Sequence, residues 1–329
     1  MGGFTVLGFC VVGLRFGPER CYGALASCRT SERYAPGKNE EFAMSSPQFV
    51  YCTRYKAASM WIGTIIESVC SITGLRYGYL FNWDKKGIDL RSYCSGQRLE
   101  FVSLASPSIE DVVEDLRPEK GFHVYRDPRD MIVSAYYSFR NSHYVKEGSA
   151  LEELQQTLRR VEMEEGLFEC MEFHAGQLDR LNTWDYTHES ILNMQMEKIS
   201  ANPYMGFLHI FRFLGLVDEA DRTELHQLPV LLQAVLNKLY KRSVAPLRYQ
   251  MEKIPAERLL GVVHRNRYEK RAGRKKGEED AGSHYRKGAA GDWTKHFTPE
   301  HVRYFKSRFP GLVTKLGYEP ARTWELPHP

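Results

Sequence analysis

The hydrophobic pattern of residues 48–73 predicts a buried strand followed by an amphipathic helix. Residues 48–53 form an almost continuous apolar run, as in a strand of a parallel sheet. From Ser59 onward apolar residues recur at helical spacing, and Gly74 is a suitable residue to end the helix. The expected apolar face of this helix consists of Ile62, Ile65, Ile66 and Val69.

The same order of elements recurs further along the chain. Residues 99–104 and 121–125 are apolar runs of strand length, and helical patterns follow at 109–116 and 128–139. Strands that alternate with helices pair in parallel through right-handed crossovers. The pattern therefore predicts an α/β fold in which a central parallel β-sheet is flanked by helices.

The other segments are predicted mainly as helices and loops. Residues 75–97 are rich in glycine, aspartate and aromatic side chains, and we expect mostly loop there. The span 149–214 is expected to be helical apart from a short strand at 182–186. Further helices are predicted at 225–240 and 299–309.

The N-terminal residues belong to none of these elements. We expect an extension over residues 1–45, either disordered or upstream of a true start at Met44, and one domain over 46–329. The apolar run 4–14 is shorter than the roughly 20 residues that a membrane helix requires. We therefore predict no membrane span and a cytoplasmic protein.

Composition narrows the classes of ligand. The net charge of +4, from 45 basic and 41 acidic residues, suits an anionic small ligand and does not indicate a nucleic-acid-binding protein. The seven cysteines include no C-x-x-C pair, which argues against a zinc site and a disulfide framework. We therefore expect reduced thiols and no metal.

Two of the predicted strand-to-helix turns carry residues suited to anion binding. Arg126 closes the strand 121–125, Pro128 opens the next helix, and Ser134 lies eight residues after the arginine. A guanidinium, a hydroxyl and the N–H groups of a helix N-terminus together suit a phosphate. Lys56 lies in the corresponding turn after the first strand, and we expect both turns at the carboxyl edge of the sheet.

The expected ligand differs from that of a P-loop kinase. The signature G-x-x-x-x-G-K-[ST] is absent, and no carboxylate suited to Mg²⁺ follows a strand, so a nucleotide kinase is disfavoured. One phosphate-like group at each turn indicates a nucleotide with two separated phosphates.

A third segment relates the chain to a known family. Residues 286–298 read R-K-G-A-A-G-D-W-T-K-H-F-T. This segment resembles the late motif R-K-G-x-x-G-D-W-x-x-x-F-T of the sulfotransferases that use 3′-phosphoadenosine 5′-phosphosulfate (PAPS), and every fixed position matches. The resemblance extends from about Gln48 to the C-terminus. It implies a P-loop-like nucleotide-binding fold with PAPS as the sulfuryl donor.

The resemblance also implies which residues contact the nucleotide. The family's 5′-phosphosulfate loop is similar to residues 55–61, and its 3′-phosphate arginine and serine correspond to Arg126 and Ser134. A tyrosine that approaches the adenine resembles Tyr186. The implied nucleotide-binding residues are Lys56, Ala57, Ala58, Ser59, Met60, Trp61, Arg126, Ser134, Tyr186, Asn266, Tyr268, Arg286, Lys287 and Gly288.

The chain departs from the family in two places. Ala58 replaces a loop glycine, and its methyl group would crowd the phosphosulfate if the position required a positive φ. The catalytic histidine of the small-molecule branch is missing, because residues 102–107 read V-S-L-A-S-P. In the glycan and tyrosine branches a carboxylate acts instead, and Asp84 is the best-placed equivalent here. Glu100 and His143 are further candidates.

These features predict an enzyme that transfers a sulfuryl group from PAPS to a hydroxyl or amine. Lys56 and Asp84 are the predicted catalytic residues, the first for the charge on the leaving phosphate and the second for the acceptor proton. The alternative is a catalytically impaired protein of the same fold that still binds PAPS or its desulfated product, 3′-phosphoadenosine 5′-phosphate (PAP). The acceptor, a small molecule or a glycan, and the oligomeric state, including a homodimer, stay open.

Overall fold

The computed structural model describes residues 46–81, 83–143, 147–220, 227–241, 249–283, 286–321 and 324–326. The predicted extension over residues 1–45 lies outside the described residues, so its assignment stays a prediction. Within the described ranges, no helix combines the length and the apolar character needed to cross a membrane.

A parallel five-stranded sheet forms the centre of the fold, in the order β2-β3-β1-β4-β5. The middle strand is buried along its whole length, as its apolar sequence predicts. The sheet and its helices confirm the predicted α/β fold. The strands are β1 (Phe49–Thr53), β2 (Tyr77–Leu80), β3 (Phe101–Ala105), β4 (Lys120–Tyr125) and β5 (Ile191–Gln195). Short strands β6 (Val217–Asp218) and β7 (Ile254–Pro255) pair separately.

Helices cover both faces of the central sheet. Alternate residues of β1 belong to different apolar clusters: Phe49 and Tyr51 pack with one, and Val50 and Cys52 with the other. The first half of the chain contains α1 (Ser59–Thr73), α2 (Leu90–Gly96), α3 (Pro128–Asn141), α4 (Ala150–Arg160), α5 (Met163–Phe173) and α6 (Ala175–Thr183). The second half contains α7 (Met196–Ala201), α8 (Pro203–Phe213), α9 (Gln227–Lys241), α10 (Ala256–Arg265), α11 (Tyr268–Ala272), α12 (Pro299–Arg308) and α13 (Leu312–Lys315).

A buried arginine attaches the C-terminal segment to the start of α3. The guanidinium of Arg129 lies 3.8 Å from the ring centroid of Trp293 and 4.6 Å from that of Trp324. It also pairs with Asp127 and Glu319, at 2.7 Å each. This clamp fixes the segment that contains the R-K-G motif against the helix that follows Arg126.

Two local predictions were wrong. Residues 182–186 end α6 and enter a turn, in which Thr187 donates its backbone N–H to the Asp185 carboxylate at 2.8 Å, and the strand comes later as β5. Residues 75–97 contain β2 and α2 rather than mostly loop. The strand was missed because β2 lies at the sheet edge with only Leu80 buried, so it lacks an apolar run. The helix predicted at 109–116 is present, and its residues Asp111–Leu116 are π-helical.

Candidate active site

The loop between β1 and α1 has the geometry of an anion site. Lys56 (φ 58°) and Ala58 (φ 57°) both adopt the left-handed conformation, which turns successive backbone N–H groups into a concave row. Ser59 and Met60 begin α1, and no described side chain caps this N-terminus, so its N–H groups and dipole remain available. The left-handed conformation of Ala58 costs about 1–2 kcal/mol relative to glycine.

A buried arginine holds this loop at the edge of the sheet. Arg54, the first residue after β1, donates from Nε to His123 Nε2 at 2.8 Å and from Nη1 to the Pro107 carbonyl at 2.8 Å. Its guanidinium lies 4.6 Å from the ring centroid of Trp184. Burial lowers the pKa of Arg54 to about 10. These contacts link the β1 and β3 ends, and the sequence analysis did not single out Arg54.

Three cations converge beside the loop. Arg126 Nη1 donates to the Lys56 carbonyl at 3.2 Å. Burial lowers the pKa of Lys56 to about 7, and the charges of Arg126 and Arg286 act in the same direction. Within the described ranges no carboxylate forms an ion pair with the Lys56 amine. An anion that enters here therefore meets the Lys56 amine, which no described carboxylate neutralises.

Ser134 lies on the face of α3 that contacts the R-K-G segment. On that face Asp130, four residues earlier, accepts from the backbone N–H of Trp293 at 2.9 Å. Tyr137, three residues later, lies under the guanidinium of Arg286 at 4.4 Å. Residues spaced by three and four share one helix face, so Ser134 lies between these two contacts. The structure thus brings Ser134 and Arg286 to the same side of α3.

Two carboxylates hold the R-K-G segment. Arg286 pairs with Glu279 and with Asp292, and the Lys287 amine also pairs with Asp292, at 2.5 Å. Burial acts to lower the pKa of Arg286, but the hydrogen bonds to Asp292 and Glu279 outweigh burial and raise it. Both predicted cations of this motif are therefore neutralised within the protein.

The predicted residues around α10 are anchored by packing. Gly288 has a φ of +66°, and a Cβ added there would lie 2.6 Å from the ring of Tyr268, so only glycine allows this close contact. Trp61 donates its indole N–H to the Asn266 carbonyl at 2.8 Å and packs edge-on against Phe207. These residues join the start of α1 to the end of α10.

Tyr186 is partly buried and packs against two of the core clusters. Its hydroxyl donates to the Leu181 carbonyl at 2.9 Å, and its ring packs edge-to-face against Tyr125 with centroids 5.4 Å apart. The predicted adenine contact of Tyr186 therefore stays a prediction.

Asp84 lies after β2, in a short 3₁₀ turn over Asp84–Lys86. Its carboxylate is 3.5 Å from Arg180 Nη2, and both side chains are 40% exposed. Arg180 Nη1 in turn donates to the Ser106 carbonyl at 2.7 Å. Arg180 thus places Asp84 beside the loop after β3, where the histidine of the small-molecule branch is missing.

Glu100 lies at the opposite edge of the sheet. It precedes β3, accepts from the backbone N–H of Arg76 at 2.8 Å, and is 3.0 Å from Gln250 Nε2. A strand rises about 3.3 Å per residue, so the length of β3 separates Glu100 from the carboxyl edge by about 15 Å. This position excludes Glu100 as the base.

Two histidines near Lys56 provide neutral nitrogen atoms. His174 is 2% exposed, and its Nδ1 lies 2.8 Å from the Cys170 carbonyl, which assigns the proton to Nδ1. Its Nε2 has no hydrogen-bond partner among the described residues. Burial and the charge of Lys56 lower the pKa of both His174 and His143 to about 4. Sequence reasoning missed His174 because only the tertiary fold brings it near Lys56.

Comparison with protein families supports the motif assignment. The family model for the sulfotransferase domain matches residues 118–235, a range that includes β4, Arg126 and Ser134. The match confirms the family resemblance inferred from the sequence. A search of curated proteins gives no match. Within the described ranges, no group of three or more His, Cys, Asp or Glu residues is arranged to hold a metal ion.

Solved structures that the chain is distantly similar to include sulfotransferases. Mouse sulfotransferase SULT7A1 complexed with PAP is 14% identical, with a TM-score of 0.46 over 81% of this chain and 85% of that chain. Retinol dehydratase in complex with androsterone and inactive cofactor PAP is 14% identical, with a TM-score of 0.41 over 82% and 81%. A sulfotransferase from Alicyclobacillus acidocaldarius is 15% identical, with a TM-score of 0.30 over 62% and 98%. These likenesses are distant, so the assignment rests on the domain match and the motifs.

Proposed function

We propose that this sulfotransferase-domain protein transfers a sulfuryl group from PAPS to a hydroxyl or amine of an acceptor. The observation that carries the proposal is the convergence of Lys56, Arg126 and Arg286 at the carboxyl edge of the sheet. Next to Lys56 lies the N-terminus of α1, which no described side chain caps. Such an edge is where open α/β sheets bind ligands.

The two anion sites suit the two ends of PAPS. Lys56 and the N–H groups that begin α1 receive the 5′-phosphosulfate, while Arg126, Ser134 and Arg286 receive the 3′-phosphate. Entry of the anion raises the pKa of Lys56 from about 7, so the amine gains a proton as the ligand binds. The resulting ammonium stabilises the charge on the departing phosphate.

The transfer step breaks one S–O bond and forms a new S–O or S–N bond. The acceptor oxygen or nitrogen attacks sulfur, the bond from sulfur to the 5′-phosphate oxygen breaks, and PAP leaves with the bonding electron pair. The acceptor proton passes to a base. Two groups suit that role: the Asp84 carboxylate beside the β3 loop, and the Nε2 lone pair of His174 near Lys56.

The acceptor is proposed to be a small molecule with an apolar or aromatic part. Three large aromatic side chains near the carboxyl end of β2 are exposed: Tyr79 (40%), Phe81 (52%) and Tyr93 (41%). Exposed aromatic groups next to a catalytic edge favour a flat apolar ligand. A cytoplasmic location is proposed because Cys52, Cys94 and Cys170 are free thiols.

The direct test is an assay with radiolabelled PAPS. Purified protein is incubated with PAPS and a panel of phenols, alcohols, amines and oligosaccharides, and sulfated product and PAP are quantified together. We expect PAP and sulfated product in equal amounts with at least one acceptor. Tight PAP binding without transfer to any acceptor would instead support the catalytically impaired alternative, and absence of PAP binding would contradict both.

A further inference from the structure

The two carboxylates that pair with Arg286 differ in burial. Asp292 is 4% exposed and bridges Arg286 and Lys287. The Glu279 side chain is 40% exposed and lies 2.5 Å from Arg286 Nη1, while the arginine itself is 11% exposed. The guanidinium face stacks on Tyr137. One edge of Arg286 is therefore held by a fixed buried anion and another by an anion at the surface.

The backbone places Glu279 opposite Arg286. The N–H of Gly277 donates to the Lys287 carbonyl at 2.9 Å, and the N–H of Asp280 donates to the Arg286 carbonyl at 2.9 Å. These two bonds hold the residues before and after Glu279 alongside the R-K-G segment. The pair with Arg286 is therefore set by the local fold and does not depend on a chance side-chain conformation.

We propose that Glu279 is an internal competitor of the 3′-phosphate: its carboxylate occupies Arg286 in the empty site and is displaced when the nucleotide binds. The proposal rests on the proposed function, because it concerns the same nucleotide site. It makes Glu279 a determinant of how tightly the protein holds PAPS and PAP.

The charges and the burial favour this exchange. A phosphate dianion offers more charge and more acceptor oxygens to Arg286 than one carboxylate does. Glu279 returns to water when it leaves, because its side chain is already 40% exposed. Asp292 cannot leave in the same way, because it is buried and pairs closely with Arg286 and Lys287, whereas the Glu279 carboxylate is 3.9 Å from the Lys287 amine. Asp292 therefore keeps the guanidinium oriented while Glu279 exchanges with the ligand.

A competitor at this position has a consequence for turnover. The product PAP retains its 3′-phosphate, so it keeps every contact with Arg286 after the sulfuryl group has gone. Product release limits the rate of many enzymes. By rebinding Arg286, Glu279 lowers the barrier to release of PAP.

The test compares Glu279→Gln with the neighbouring Glu278→Gln. Both changes remove one negative charge from the same segment, but the Glu278 carboxylate accepts from the Lys275 backbone N–H, at 3.2 Å, and forms no ion pair within the described part of the chain. PAP and adenosine 5′-phosphate are titrated by calorimetry, and PAP release is followed by stopped flow. We expect Glu279→Gln to bind PAP about threefold to tenfold more tightly and to release it more slowly. Affinity for adenosine 5′-phosphate, and both affinities of Glu278→Gln, should stay unchanged.

Unchanged or weaker PAP binding by Glu279→Gln would overturn the proposal and show that Glu279 orients Arg286. Equal tightening by Glu278→Gln would overturn it as well, since the effect would then be one of net charge. Failure of the proposed function gives a different result: the unaltered protein would bind no PAP. Glu279→Ala serves as a second variant and should shift PAP affinity in the same direction.

Discussion

The β1–α1 loop and the R-K-G segment both carry basic side chains, but their surroundings shift the pKa values of those side chains in opposite directions. At the β1–α1 loop, burial and neighbouring cations lower the pKa of Lys56 to about 7. At the R-K-G segment, the pKa of Arg286 is raised, because Asp292 and Glu279 outweigh the effect of burial. Among the described residues the Lys56 amine of the first loop has no carboxylate counter-ion, whereas Arg286 of the second is already neutralised.

The difference assigns the two loops different tasks. A loop without an internal counter-ion delivers its full electrostatic effect to an incoming anion, and this suits the place where charge develops during transfer. A loop with fixed counter-ions keeps its cation oriented and binds by exchange, which suits recognition of a group that does not react. The strain at Ala58 belongs to the first loop and is absent from the second, where glycines have the positive φ values.

The largest expected effect concerns the base. If the acceptor proton passes to a single basic side chain, replacement of that side chain should lower kcat by about 10²–10⁴-fold. Asp84→Asn preserves shape and removes basicity. His174→Asn keeps an amide donor near the position of Nδ1 for the Cys170 carbonyl and removes Nε2. Steady-state kinetics with PAP affinity as the control should show the loss in one variant, and full activity in both would exclude both groups.

Replacement of Lys56 tests the catalytic task of the first loop. Lys56→Met should lower kcat by about 10²–10³-fold, because an ammonium at the departing phosphate acts mainly in the transition state. Lys287→Met is the matched control, since its amine is paired with Asp292 and should affect kcat far less. A change in apparent nucleotide affinity with kcat unaltered in Lys56→Met would contradict this distinction between the loops.

Arg126 tests recognition of the 3′-phosphate. Its side chain is 11% exposed, and its Nε has no partner among the described residues. Arg126→Ala should weaken PAP binding by about 1.5–3 kcal/mol, the usual range for a hydrogen bond to a charged group. Binding of adenosine 5′-phosphate should change much less, because that ligand lacks the 3′-phosphate. Calorimetry that gave equal losses for both nucleotides would place Arg126 at the other phosphate.

The smallest expected effect concerns backbone strain. Ala58→Gly removes the side chain from a residue with φ 57°, and it should raise the free energy of unfolding by about 0.5–1 kcal/mol after the entropy of the unfolded chain is counted. Ala57→Gly is the control and should destabilise, because Ala57 is fully buried and does not have a positive φ. Urea unfolding of the two variants distinguishes these outcomes.

Strong local signals made much of the fold and the site predictable from the sequence. Strand β1 has the expected apolar run, helix α1 ends before Gly74 and helix α3 begins at Pro128, so these elements were predicted within a few residues. The motif at residues 286–298 indicated the nucleotide. Edge strand β2 was missed because a strand with one buried residue has no apolar run to reveal it.

The interior of the site was less predictable because it depends on residues far apart in sequence. The pairs of Glu279 and Asp292 with Arg286, and the place of His174 near Lys56, arise only when helices pack. The family has glycine at the position of Ala58, so the sequence analysis considered the effect of a positive φ there. The sequence alone does not determine that dihedral angle. Ion pairs between loops likewise could not be predicted from the spacing of residues in the sequence.

The most direct test of the account is proton uptake when PAP binds. At pH 8 the Lys56 amine of the empty site is mostly neutral, because its pKa is about 7. A bound 5′-phosphate raises that pKa, so the complex should take up a proton, approaching about one per site. Below about pH 6 the amine is already charged, and this contribution should vanish.

Calorimetric titration of PAP at pH 8 in two buffers of different ionisation enthalpy measures the uptake. We expect net proton uptake in the unaltered protein and its loss in Lys56→Met. PAP binding with no proton uptake at pH 8, or with the same uptake in Lys56→Met, would contradict the claim that an uncompensated Lys56 receives the 5′-phosphate.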